Sequence, residues 1–225
     1  MPRINASPTR EYVYQLLKSQ ILDLELKPGT SLSEKEISEK FQVSRTPVRE
    51  AFLKLSQEGL LEIYPQKGTR VSLIDLALVE DARFMREQLE KAVIKLACEN
   101  FPEDKLLSLE INLKNQELCT YHQDYKRVFD LDEELHRTIF EGCNKARIWL
   151  AMQPMNTHFK RIRVLRLATN YDWGHLLCQH QQIVDAIKRK DPRLGEEIIT
   201  NHLKLVLIDK EELKKTNPNY FKEAR

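Results

Sequence analysis

The stretch "VSRTPVREAFLKL", residues 43–55, has the apolar spacing of a helix and the wrong charge at its start. Val48, Ala51, Phe52 and Leu55 recur at helical intervals and form one buried face. Ser44 stands at the N-cap, Gly59 just past the end, and Pro47 in the first turn, where a missing N–H costs little. Yet Arg45 and Arg49 crowd the N-terminal end, where the helix dipole favours acidic side chains. Positive charge in that place suits a helix whose tip meets something strongly negative.

The flanks give this helix its context. Upstream, Val13, Leu16, Leu17, Ile21 and Leu24 mark a helix over residues 9–26, which "KPG" ends. "SLSEKEISEKF" then offers Ser33 and Glu36 as a capping box that opens a short helix, and "QVS" makes the turn. Downstream the period changes: "LLEIY" and "TRVSL" are β-prone, and the turn "PQKG" between them makes a hairpin. Three helices and a hairpin in about seventy residues outline a winged helix-turn-helix, whose second motif helix lies in the DNA major groove. Arg45 and Arg49, four apart, project from one face, and arginine reads guanine with a forked contact. Ser44 caps this helix, and Thr46 is placed for a phosphate or a thymine methyl. Lys35 suits a backbone phosphate, while Lys67 and Gly68 at the hairpin tip suit a wing in the minor groove. A basic helix face is more often simply solvated; the ordered whole favours DNA.

Composition narrows the class. The 225 residues suffice for two domains, each with a core, and 41% apolar against 31% charged residues describes a globular, helix-rich chain. Six glycines argue against a sandwich or barrel rich in tight turns. A net charge of +2 excludes a uniformly basic coat, so nucleic-acid contact must come from a local patch. No apolar run approaches the ~20 residues that span a bilayer, and the N-terminal stretch lacks a signal-like apolar core. Cys98, Cys119, Cys143 and Cys178 show no CxxC pair and no zinc spacing, and read as free, mostly core thiols in a reducing cytoplasm.

From Leu76 onward the pattern is helical. The chain is therefore mainly α, with a winged helix-turn-helix DNA-binding domain over residues 1–74 and an all-α antiparallel bundle of about six helices over 75–225. Leu78, Ala82, Met85, Leu89, Ala92, Val93 and Leu96 form the first stripe, and further helices fall near 103–119, 124–142, 145–168, 174–190 and 192–214. "NKA", "TNYDWG" and "KDPR" are the breaks, and the tail "TNPNYFKEAR" is expected to fray. In "FDLDEELHRTIF", Asp132 and His136 share a helical face and could converge on one metal ion. His180 and His202, on later helices, could join them inside the bundle; such a set suits zinc, nickel, manganese or iron. Singly, each histidine is more often a surface or satisfied core residue, and periodicity does not choose His180 over His175.

The string "LKPGTSLSEKEISEKFQVSRTPVREAFLKLSQEGLLEIYPQKGTRVS" resembles the DNA-binding domain of GntR-family transcriptional regulators. "REQLE", "DEELH" followed by "CN", "HQQIVDAIKRKD" and "NHL" resemble the helical FCD effector-binding domain of that family's FadR branch, in its VanR-like subgroup. The resemblance implies a homodimer on a palindromic double-stranded operator, with contacts at Lys35, Arg45, Thr46, Arg49 and Gly68. Arginine is frequent where Lys35 stands; a lysine keeps the phosphate charge and loses the fork. It implies too that Asp132, His136, His180 and His202 bind a divalent metal, zinc first, although Leu135 replaces a usual phenylalanine and Gln179 a frequent glutamate. Arg86 stands at the family position for a small carboxylate effector that completes the metal's coordination sphere. Arg161, Arg163 and Asn144 are further candidates, the arginines equally readable as solvated or salt-bridged. The function expected is a sequence-specific regulator, a repressor rather than an enzyme, whose operator affinity the carboxylate controls. A metal-dependent hydrolase and a purely structural metal are the alternatives.

Overall fold

The computed structural model describes residues 6–169, 173–208 and 210–223. It forms two compact units: the first runs to Leu76 and takes in the stretch from Lys214, and the second is Ala77–Leu213.

The first unit is a winged helix. Helices α1 (Ala6–Leu22), α2 (Glu34–Phe41) and α3 (Arg45–Gln57) accompany strands β1 (Ser31–Leu32), β2 (Leu61–Tyr64) and β3 (Gly68–Val71). The sheet is antiparallel in the order β1-β3-β2, with Leu61 opposite Val71 and Leu32 opposite Thr69. β2 and β3 are the expected hairpin. β1 was not expected, because two residues are too short to show a period. Its core joins Val13, Leu17 and Ile21 of α1 to Val48, Phe52 and Leu55 of α3 and to Leu61 and Val71 of the sheet. Gln42, in the left-handed region at φ 53°, ends α2 and lets the chain turn into α3. At the hairpin tip Gly68 has φ +94° with open space where a side chain would stand, so backbone conformation alone calls for glycine.

The tail is ordered rather than frayed. Pro218–Tyr220 make a 3₁₀ turn, and Phe221 is 3% exposed and bridges Ile74 in parallel. Ile74 N–H donates to Tyr220 O at 2.8 Å, and Lys222 N–H to Ile74 O at 2.9 Å. One buried aromatic in a polar segment anchors it. Residues 214–223 thus pack with the winged unit, not with the bundle.

The second unit is helical: α4 (Leu76–Glu99), α5 (Glu103–Tyr121), α6 (Tyr125–Gly142), α7 (Ala146–Met152), α8 (Thr157–Thr169), α9 (Gly174–Arg189), α10 (Pro192–Ile208) and α11 (Lys210–Thr216). The helix expected over 145–168 is divided by a 3₁₀ turn at Gln153–Asn156, where Pro154 has no N–H to give. The break at "TNYDWG" falls mostly on residues 170–172, outside those described. α5 packs on α6 and α9, α8 on α6 and α10, and α9 on α10. α4 turns inward a face that shares only Ala82 and Val93 with its expected apolar stripe. Val79, Ala82, Arg86, Glu90, Val93 and Ala97 are buried, while Leu78 and Leu96 stay exposed. Of the four thiols only Cys98 is buried, and Cys178 is exposed.

Candidate metal centre and nucleic-acid interface

Asp132 and His136 lie one turn apart on α6, His180 on α9 and His202 on α10; all four are buried, with one ligand atom from each within 4.8 Å of the others. His136 Nε2 is 3.1 Å from His202 Nε2, and His180 Nε2 is 3.0 Å from Asp132 Oδ1. His136 and His202 Nε2 stand 3.7 and 3.9 Å from the same oxygen. Donors about 2.0–2.1 Å from a tetrahedral ion stand roughly 3.3 Å apart, so these spacings fit a first-row metal.

The surrounding hydrogen bonds fix which imidazole nitrogen faces inward. Leu131 O accepts from Asn112 Nδ2 at 3.0 Å, so Asn112 Oδ1 is the acceptor for Gln116 Nε2 at 2.7 Å. Gln116 Oε1 must then accept from His180 Nδ1, 2.7 Å away. The Nδ1 proton leaves a lone pair on His180 Nε2, which has no hydrogen-bond partner among the described residues. Glu90 Oε2 fixes His136 in the same way, 2.8 Å from Nδ1, and Gln179 Oε1 lies 3.2 Å from His202 Nδ1. Three lone pairs and a carboxylate therefore converge on one point. Without a cation that arrangement is repulsive; with one, each imidazole is held by the outer partner that metal-binding histidines require. Replacing Gln116 with leucine should lower metal affinity about 10–100-fold, measured by competition with a chelating dye.

Burial, and then the neighbouring imidazoles and Arg163, push His180 and His202 well below the ordinary histidine range. Burial raises the Glu90 carboxyl, but Arg86 and His136 outweigh it and hold Glu90 at about 2. Arg86 is fully buried, with Nε 2.5 Å from Glu90 Oε1 and Nη1 3.2 Å from Glu133 Oε1. The Arg163 guanidinium lies against Asp132 and Glu133 and over the Phe129 and Phe159 rings. Asp132, Arg163 and His202 line a cavity of about 20 Å³ whose other walls include Phe159, Leu176, Leu203 and Val206.

Of the candidates for carboxylate contact, Arg86 and Arg163 are therefore beside the four donors. Arg161 is fully buried with Nη2 3.0 Å from His158 Nδ1, and does not line that cavity. Asn144 is not brought to the site: it sits exposed in the turn after α6 at φ 57°, a conformation asparagine tolerates, which accounts for it locally. Sequence reasoning missed Gln116 and Asn112. Their signal was two amides on the buried stripe of α5 with Leu109 and Leu113.

In the winged unit Lys35, Ser44, Arg45, Thr46, Arg49, Lys67 and Gly68 are all exposed. Ser44 has extended backbone at the N-cap of α3 but makes no side-chain capping bond, and the first turn holds no acidic residue. The orphan N–H groups there stay open to an anion. Arg49 Nε is 3.3 Å from Glu34 Oε1 in an exposed pair, which costs little to break.

Residues 9–71 match the family described as bacterial regulatory proteins, gntR family, and residues 81–205 match the FCD domain. The chain belongs to the GntR family. This GntR-family regulator is 32% identical over 216 residues to the HTH-type transcriptional repressor RspR of Escherichia coli K12, covering 96% of this chain and 95% of that one. A regulator of Streptomyces ambofaciens, described as lying in an unstable DNA locus, is 33% identical over 221 residues, covering 98% of this chain and 93% of its own. The solved structure of E. coli McbR/YncC superposes with a TM-score of 0.77 at 21% identity, covering 92% and 98% of the two chains, a likeness of fold alone. Among the described residues of this GntR-family chain, no helix is long and apolar enough to cross a membrane.

Proposed function

We propose that this GntR-family protein is a cytoplasmic, non-enzymatic repressor that binds a palindromic operator as a homodimer, released or tightened by a small carboxylate at a metal centre. The observation that carries the reading is the inward convergence of Asp132 and three lone-pair Nε2 atoms beside Arg86 and Arg163. Zinc suits the donor set first, with nickel, manganese or iron also accommodated. A bound divalent ion would supply a Lewis-acidic anchor for a carboxylate. Arg163, which lines the cavity beside Asp132 and His202, would neutralise the acid's remaining charge. Arg45, Arg49 and Thr46 would read the major groove, Ser44 and Lys35 would take phosphates, and Lys67 with Gly68 would form the wing's contact. The homodimer draws support from α4, where Leu78, Met85, Leu89, Ala92 and Leu96 form an apolar stripe left wholly or partly open; a second copy is its natural cover.

One observation favours a second reading. A cavity of about 20 Å³ has room for roughly one water, so the centre is closed in the manner of a structural site. A hydrolase gains less support, because Glu90 and Glu133, the carboxylates nearest the donors, are both committed to arginines. Genomic fragments selected by the metal-loaded protein decide the matter. A palindrome with a two-fold symmetric footprint is expected, and at least one acid from a carboxylate panel should change its affinity tenfold or more. If chelation lowers the melting temperature and no acid moves operator affinity, the metal is structural.

A further inference from the structure

Glu133 is held by three cations at once. Its Oε2 is 2.7 Å from Lys160 Nζ, and its Oε1 is 2.5 Å from Arg163 Nη1 and 3.2 Å from Arg86 Nη1. Those three cations come from α4 and α8, while Glu133 adjoins the donor Asp132 on α6. Around the centre, Arg86, Lys160 and Arg163 balance Asp132, Glu90 and Glu133 charge for charge. A divalent ion on Asp132 and three neutral imidazoles would add two positive charges with no anion to meet them, which a buried site tolerates poorly. An incoming carboxylate would meet them, but Arg86, Lys160 and Arg163 are each already engaged by Glu133.

Only one of those carboxylates is placed to leave. Glu90 is 2% exposed and also orients His136, and Asp132 is 1% exposed and belongs to the donor set. Glu133 is 14% exposed, and its partner Lys160 17%, so both stand at the rim. Neither oxygen of Glu133 is among the four converging donors. We propose that Glu133 is an internal stand-in for the effector's carboxylate, occupying the Arg86–Lys160–Arg163 cradle until an external acid displaces it toward solvent. This rests on the carboxylate-effector reading and deepens it. It also supplies the differential contact that a switch requires: acid binding exchanges the ties of Glu133 to α4 and α8 for ligand contacts, which leaves the Asp132–Arg163 pair as the remaining ionic link between α6 and α8 at the centre.

The test is calorimetric titration of acetate, the smallest carboxylate, into the full-length zinc-loaded protein. Glu133→Gln keeps the side-chain shape and vacates the cradle electrostatically; it is expected to bind acetate at least tenfold more tightly than wild type. Glu133→Asp retains the charge but draws the carboxylate back by one methylene. It should bind at least threefold more tightly, which separates occupation of the cradle from a nearby negative charge and covers the case in which the glutamine variant does not fold. Zinc affinity should stay within twofold in Glu133→Asp, which keeps the charge and all four donors, and should fall in Glu133→Gln, which removes a negative charge beside the ion, so acetate is titrated only into fully zinc-loaded protein. Equal acetate affinity in the three proteins, or none, overturns the stand-in. The effector reading falls with it only if the acid panel also leaves operator affinity unmoved.

Discussion

Replacing Arg45 and Arg49 together with alanine is expected to weaken operator binding by about 2–6 kcal/mol, because each well-made arginine–guanine fork is worth about 1–3 kcal/mol. Both side chains stand exposed, four residues apart, in the first two turns of α3, and the first turn holds no carboxylate. Arg49 pairs with Glu34 across an exposed contact that solvent screens, so DNA does not have to outbid a strong internal contact there. The melting temperature should not change, since neither arginine contributes to the core that Val48, Phe52 and Leu55 build on the opposite face. Binding to scrambled DNA of the same length should fall far less than binding to the operator. Lys35→Ala should behave differently, lowering both affinities alike and reducing the salt slope by about one unit, as loss of a phosphate contact does. If the double variant lost operator and scrambled DNA equally, its arginines would be phosphate contacts and the readout would lie elsewhere.

How much of this could be read from the residues differs sharply between the two units. The winged helix is written in short-range signals: a cap, a proline in a first turn, a period change at Leu60, a glycine at the hairpin tip. Such features depend on few neighbours, and the departures are local: α1 ends at Leu22 rather than near 26, Ser44 makes no side-chain capping bond, and the two-residue β1 and the anchored tail were unforeseen. The helical unit hides more. Periodicity ranks positions by hydrophobicity, yet the inward face of α4 carries Arg86 and Glu90, so of the apolar stripe only Ala82 and Val93 are buried and the rest lies wholly or partly open. The four candidate donors were selected by resemblance, since nothing in the spacing preferred His180 to His175. The amide relay through Asn112 and Gln116 was visible in principle, as two polar residues at buried helical intervals. The cradle on Glu133 was not, because its cations come from two other helices and only the folded chain brings them together.

Lowering the pH from 7 to 5 should destabilise the metal-free helical unit, by up to about 4 kcal/mol if both histidines stay neutral in the fold. His180 and His202 are buried beside each other and beside Arg163, which pushes both well below the usual histidine value. In the unfolded chain each returns to about 6.5 and takes up a proton over this interval, whereas in the folded unit each stays neutral. The unfolded state then binds more protons, and stability rises with pH where that holds. The contribution is therefore fully present above about pH 6.5 and is lost progressively as the pH falls toward the folded-state values, at up to about 1.4 kcal/mol per unit for each histidine. Glu90, held at about 2, keeps its charge throughout and does not blur the window. With metal bound the fall should be steeper, because protons and the ion compete for the same Nε2 lone pairs and binding free energy is folding free energy. Urea denaturation at pH 7, 6 and 5, with zinc and with chelator, measures both slopes. A flat profile in the chelated protein would mean that the imidazoles protonate inside the fold, and the closed, lone-pair-inward arrangement fixed by Gln116 and Glu90 would have to open well before the unit unfolds. Steep loss in the zinc-loaded protein beside a shallow one in the chelated protein would place the acid sensitivity in the metal rather than in burial. The two slopes together therefore separate what the dry interior imposes on these histidines from what the cation does.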